Sequence, residues 1–245
     1  MDLISVKSQI IVETNKFRLG PTLLKLQPLT TGSATKISKI KGVNGAIVPS
    51  LGSAPISLFD VDVVFAFPLT LKLPLLFSSE SFEDNDLGYI MQKSFKETFH
   101  FADIENQIVI ETLIKGSGKI ITGESHPNVK ETPLIKNIHE GMKFLEDHNF
   151  KPNKLVINPD IAESLRQREE LKEKLQSYAM DVIINASVPK GTIIILDQDH
   201  AGLFLERVSL QVKDHADPMR DLKGFLLRER VVPIVTDGNA VVVIQ

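Results

Sequence analysis

The chain has 245 residues, 42% of them hydrophobic and 24% charged, enough to bury a sizeable core in one large domain or two small ones. Its formal net charge of −3 argues against a generally basic nucleic-acid binder, although one basic face remains compatible with it. There is no cysteine, which excludes disulfides, thiolate metal sites and a cysteine nucleophile.

Residues 1–28 form an N-terminal segment with β-branched clusters (Ile10, Ile11, Val12) and a break at Gly20-Pro21. This segment has no signal-peptide core, and no apolar run in the chain reaches the roughly 18 residues of a membrane helix, so a soluble cytosolic protein is expected. The lack of Cys and Trp, with many Ile, Lys and Glu, is compatible with a thermophilic source. Over residues 29–55 the composition shifts to Thr, Ser, Gly and Lys. Alternation in Thr35-Lys36-Ile37-Ser38-Lys39-Ile40 predicts a strand, followed by a turn at Gly42-Val43-Asn44-Gly45. A connection this long without a core of its own is uncommon in a compact domain. It reads as a projecting β-hairpin arm that finds its burial on another subunit; the alternative is a hairpin folded back on its own domain.

Residues 57–77, rich in Val, Phe and Leu with bends at Pro68 and Pro74, predict extended strand. The acidic run Glu83-Asp84-Asn85-Asp86 then opens a helix. Leu87, Ile90, Met91, Phe95 and Ala102 recur at helical spacing, and the pattern continues through Ile104 and Ile108 to Gly116. At about 1.5 Å per residue this rod is roughly 40 Å long, more than the ~18 Å radius of gyration of a compact chain this size, which implies an elongated, flat subunit. After a Gly-rich link, Pro133 to Asn149 predicts a second helix and Lys154 to Ile157 a short strand. Asn158-Pro159-Asp160 supplies an N-cap, a first-turn proline and a first-turn acid for a third helix, on which Glu170 and Lys174 form a supporting pair. Strands are expected at 181–186, 192–197, 203–212, 225–235 and 240–244.

Enzyme chemistry finds little support in these residues. Gly123-Glu124-Ser125-His126-Pro127 falls one residue short of a nucleophile elbow, so a hydrolase using Ser125 with Asp197 and His200 is a remote alternative. Gly116-Ser117-Gly118-Lys119 lacks the first glycine and the Ser/Thr of a phosphate loop. The histidines are scattered without metal-ligand spacing, and Asp197, Asp199 and Asp214 read as turn residues rather than cation ligands. No catalytic, cofactor or metal site is expected.

Four passages, in order, resemble the major capsid proteins of tailed phages, the Hong Kong 97 (HK97) family, which also includes encapsulin compartment shells. They are Lys154-Leu155-Val156-Ile157-Asn158-Pro159, Val188-Pro189-Lys190-Gly191 with its strand to Asp197, Arg207 with Ser209-Leu210-Gln211-Val212, and Arg228-Glu229-Arg230 followed by Asp237-Gly238-Asn239 and the closing apolar strand. The resemblance implies an α+β HK97-type capsid fold with an N-terminal arm (1–28) and an extended β-hairpin loop (29–60). It further implies a peripheral domain with a long spine helix (61–145 and 203–235) and an apical domain (146–202 and 236–245). It implies a non-enzymatic shell protein that assembles with itself into an icosahedral particle, formed in the cytoplasm and found as a virion or virus-like particle. A viral or proviral capsid enclosing nucleic acid is the first reading, and an encapsulin-type compartment with a protein cargo the alternative. Because residues 1–20 are β-branched and lack a clean helical stripe, they weigh against the amphipathic N-terminal helix of encapsulins. Lys36, Lys39 and Lys41 on the arm, and Arg228 and Arg230 on one face of their strand with Glu229 on the other, are the expected subunit contacts. No membrane partner is implied.

Overall fold

The computed structural model describes residues 3–29, 35–41, 60–84, 86–122, 132–166 and 180–245. The N-terminal segment holds an α-helix, α1 (Leu3–Asn15), although its sequence shows no clean helical stripe. Val6, Ile10 and Thr14 recur every fourth residue and are fully buried, so one narrow stripe seats the helix although β-branched residues are individually poor helix formers. The other half of the stripe is not polar: Ile4 and Val12 are exposed, which is why no clean periodicity is visible in the sequence. A short helix α2 (Gly20–Leu23) follows, with Pro21 in its first turn.

A four-stranded sheet has the order β1-β9-β10-β4, with β1 (Lys25–Pro28) parallel to β9 (Gly202–Asp217) and the remaining pairs antiparallel. β10 (Leu222–Val235) lies between β9 and β4 (Leu69–Ser78), and its register on β9 shifts around Glu229, on either side of Arg230. Gly202 opens β9 where any Cβ would run into the backbone of Ile234, a close approach that only glycine permits. A short helix α3 (Ser79–Glu83) leads into the spine helix α4 (Leu87–Gly116), 30 residues long. Asp86 caps it by accepting from the Tyr89 N–H at 3.2 Å. Ile90, Phe101, Val109, Ile110 and Leu113 form its buried stripe, so the rod expected from the sequence is present and lies along the sheet. Phe77, Phe225 and Leu227 from the sheet and Val6 and Ile10 from α1 close one core around its first half.

The second sheet has five strands in the order β5-β11-β8-β6-β7. These are β5 (Lys119–Ile121), β6 (Lys154–Ile157), β7 (Asp181–Ile184), β8 (Ile193–Leu196) and β11 (Val241–Ile244). β8 and β11 are buried along their whole length, as continuous apolar strands covered on both faces should be. Helix α5 (Thr132–Asp147) covers one face through Ile138, Met142 and Leu145. Asn149, at φ 62°, ends it in the left-handed conformation favoured past a helix C-terminus. The step into α6 (Pro159–Arg166) follows the sequence reading: Asn158 Oδ1 accepts from the Asp160 N–H at 3.0 Å, and its Nδ2 donates to Val188 O at 2.7 Å. The Glu170–Lys174 pair lies outside the described residues. A further core joins the two sheets, with Leu23, Leu113, Val156, Phe204 and Val243 among its members.

β2 (Thr35–Lys41) and β3 (Asp60–Ala66) form a third, two-stranded sheet that pairs with no other strand among the described residues. The extended stretch expected over 57–77 is thus two strands, β3 and β4, parted at Phe67-Pro68. The turn expected at Gly42–Gly45 lies outside the described residues.

Candidate assembly surfaces and a buried charge junction

The arm places its three lysines on β2, where Lys36 pairs in register with Phe65, Lys39 with Asp62 and Lys41 with Asp60. At its root the chain leaves large apolar side chains in water: Phe65 and Phe67 are 62% and 65% exposed, and Leu69 stands half out of the surface beside them. Exposed apolar side chains of this size at alternate positions across the β3–β4 junction mark a contact surface. A small cluster of Ala66, Leu205 and Ile234, with Leu29 and Val232 packed on it, joins this root to one face of the four-stranded sheet.

That same sheet face carries Arg228 and Arg230. Arg228 pairs with Lys72 on β4, setting one cation against another across the strands, and with Gln211 on β9. Both arginines are half-buried, and their Nε atoms are shut from water with no hydrogen-bond partner. The arm lysines and the arginine pair therefore sit on separate elements, and the structure does not bring them together.

Glu229 faces the opposite way and is fully buried. There it meets a group of side chains that the sequence reading missed. Arg18, in the link between α1 and α2, donates from Nε to Glu105 Oε2 at 2.5 Å and from Nη2 to Glu229 Oε2 at 2.8 Å. Its Nη1 donates to Asn15 Oδ1 at 3.0 Å, Glu206 Oε1 lies 3.9 Å from Nη2, and the guanidinium sits 5.7 Å from the centre of the Phe204 ring. Asn106, next to Glu105 on α4, clamps the same link: its Oδ1 accepts from the Leu19 N–H and its Nδ2 donates to Phe17 O. Arg18, Glu105 and Glu229 are 6%, 1% and 0% exposed, so this is an interior charge junction binding the N-terminal segment to spine helix and sheet. Burial is the main force pushing the Glu229 carboxyl up to about 9; the Glu105 charge pushes the same way, and Arg18 opposes them. Burial likewise raises Glu206. The sequence did hold a signal: Glu105 falls on the apolar stripe of α4 between Ala102 and Val109, and Glu229 on the apolar parity of β10 between Leu227 and Val231.

The enzyme alternatives gain nothing from the geometry. His200 Nδ1 lies 2.9 Å from Asp197 Oδ2, but Asp197 also accepts from the Asp199 and Lys151 N–H groups, each at 3.0 Å. It is the buried N-cap of α7 (Gln198–Ala201), which is turn chemistry. Ser125 lies outside the described residues. Among the described residues no group of three His, Asp or Glu side chains could hold a metal ion, and no helix is long and apolar enough to cross a membrane.

No family model matches the chain, and no curated protein does. Solved structures do. A virus-like particle from Pyrococcus furiosus superposes with a TM-score of 0.76 at 14% identity, covering 98% of both chains. Microbacterium phage Oxtober96 gives 0.70 at 13% identity, over 93% of this chain and 90% of that one. The capsid of an empty GTA particle gives 0.67 at 13% identity, over 93% and 95%.

Proposed function

Because the chain has the HK97-type capsid fold, we propose that it is a structural shell subunit that assembles with copies of itself into a closed icosahedral particle. The observation that carries this reading is the arm. A two-stranded hairpin is marginal in water by itself, and this one, with no third strand among the described residues, is rooted in exposed Phe65, Phe67 and Leu69. A neighbouring subunit lying under the arm would bury those rings and give the hairpin its missing support. On this reading Lys36, Lys39 and Lys41 lie in one contact, and the half-buried Arg228 and Arg230 lie in another. Weak contacts of this kind suffice, because each is repeated throughout a closed symmetric shell.

The role is structural rather than catalytic, in keeping with neighbours that are capsids and a virus-like particle. A viral or proviral capsid, assembled in the cytoplasm around nucleic acid, is the first reading of its contents. The encapsulin-type compartment is the second; residues 3–15 are a helix, but its exposed side carries Ile4 and Val12 and so lacks a clean amphipathic stripe, and the structural neighbours do not favour this alternative.

Negative-stain microscopy and size-exclusion chromatography of the purified chain test the proposal. Closed particles are expected. A monodisperse monomer under every assembly condition would refute it. Deleting residues 31–53 should abolish particles while leaving a folded subunit by circular dichroism, and particles from that deletion would remove the arm from the mechanism.

A further inference from the structure

The junction around Arg18 holds three carboxylates against one cation. Facing Glu229 are Arg18 from the α1–α2 link, Glu105 from α4 and Glu206 from β9, while β4 sets the apolar Leu71 opposite it in register. Fully ionised, this set leaves two uncompensated negative charges in the interior. Arg18 engages only one oxygen of each of its two closest acids, and the remaining oxygens, Glu105 Oε1 and Glu229 Oε1, are buried without a partner. Two orphaned acceptors on neighbouring acids are satisfied together by a single proton between them. Gly20 closes this side of the site, where a Cβ would fall 2.7 Å from Glu105 Oε1 and overlap the Phe204 ring.

We propose that Arg18, Glu105 and Glu229 form an alkali-opened latch, in which one proton shared by the two glutamates keeps the N-terminal segment seated and its loss lets that segment lift. The carboxyl O–H bond breaks as its proton passes to hydroxide to give water, no other bond changes, and like charges on α4 and β10 are left facing each other across one guanidinium. Arg18 and Asn15 belong to the N-terminal segment, while the acids they face lie on helix α4 and the sheet, so this segment is the part that moves. The latch goes beyond the shell reading: it is a property of the subunit, and its readout does not require particles.

Hydrogen exchange of residues 3–24, corrected for the intrinsic pH dependence of exchange, tests it on the full chain between pH 6 and 10. In the native protein opening of this segment should rise about tenfold per pH unit up to about pH 9 and then level off, the mark of one proton held closed and lost open. β8, inside the second sheet, should stay protected throughout. Glu229→Gln keeps an acceptor for Arg18 and has no proton to lose, so its profile should be flat. Glu105→Gln is the second variant: with that charge gone one of the forces raising Glu229 is removed, and the plateau should be reached at lower pH than in the native protein. A flat native profile, a native slope retained in both variants, or equal loss of protection in β8 would overturn the latch.

Discussion

Replacing Arg18 by Met separates the electrostatics of the junction from its packing. The methionine keeps most of the apolar stem against Phe204 but removes the cation from two acids that are 1% and 0% exposed. Stranding buried carboxylates in this way costs about 3–5 kcal/mol. A chain of 245 residues unfolds with an entropy of about 0.5 kcal/mol/K, so a 4 kcal/mol loss lowers Tm by about 8 °C. The deficit must also depend on pH, and its sign is fixed. The folded Glu229 carboxyl titrates at about 9, above its ordinary value of 4.5. The stability it contributes is therefore fully present below about pH 4.5 and drains away as pH rises to about 9. Arg18 is the one group opposing that upward push, so its removal extends the decline beyond pH 9: the deficit should be nearly level from pH 5 to 8 and larger at pH 10. Calorimetry at matched protomer concentration measures both. Adding Glu105→Gln and Glu229→Gln should restore most of the loss, since a neutral set needs no cation. A Tm within 2 °C of the native protein at pH 8 would show that Arg18 is an ornament of the packing; ~2 °C corresponds to only about 1 kcal/mol. An equal deficit at pH 7 and pH 10 would refute the electrostatic account even if the protein were destabilised.

Three further outcomes follow from the geometry. Arg228→Glu with Arg230→Glu should leave a folded subunit that forms no particles in the electron microscope, and normal particles would move the contact elsewhere. Gly20→Ala should cost about 1–3 kcal/mol in a urea melt, because its methyl overlaps the Phe204 ring and crowds Glu105. Asp197→Ala strips acceptors from the Lys151 and Asp199 N–H groups and should cost a similar ~1–3 kcal/mol, with particle formation retained.

Much of the architecture was legible because it is local. The spine helix shows its own stripe, the step at Asn158 carries its cap and first-turn proline within three residues, and β8 and β11 are unbroken apolar runs. α1 was not legible, because its burial stripe is only three residues wide and its far side is apolar as well; contact with α4 and β9, not intrinsic propensity, makes it a helix. The junction was half legible. Glu105 and Glu229 each break an apolar period, which flags a buried charge in need of a counter-ion. The cation that answers them lies 87 and 211 residues away, and no local pattern names it. The arm was visible as a compositional shift, and the arginine pair as an alternation, but which surfaces meet across subunits is a property of two chains.

The position of β11 has a bearing on how the subunit is made. It is an interior strand of its sheet, between β5 and β8, yet every other strand of that sheet precedes it on the ribosome, β5 by about 120 residues. Until residues 241–244 emerge, β5 has no strand beside it and β8 lacks one flank, so the sheet exists only as separated pieces. Such late, long-range pairing is slow and leaves unpaired edges exposed in the meantime. The same delay acts as a clock. Because β11 also contributes Val243 to the core shared by both sheets, a nascent chain cannot present finished binding surfaces to its neighbours before its synthesis has passed that strand.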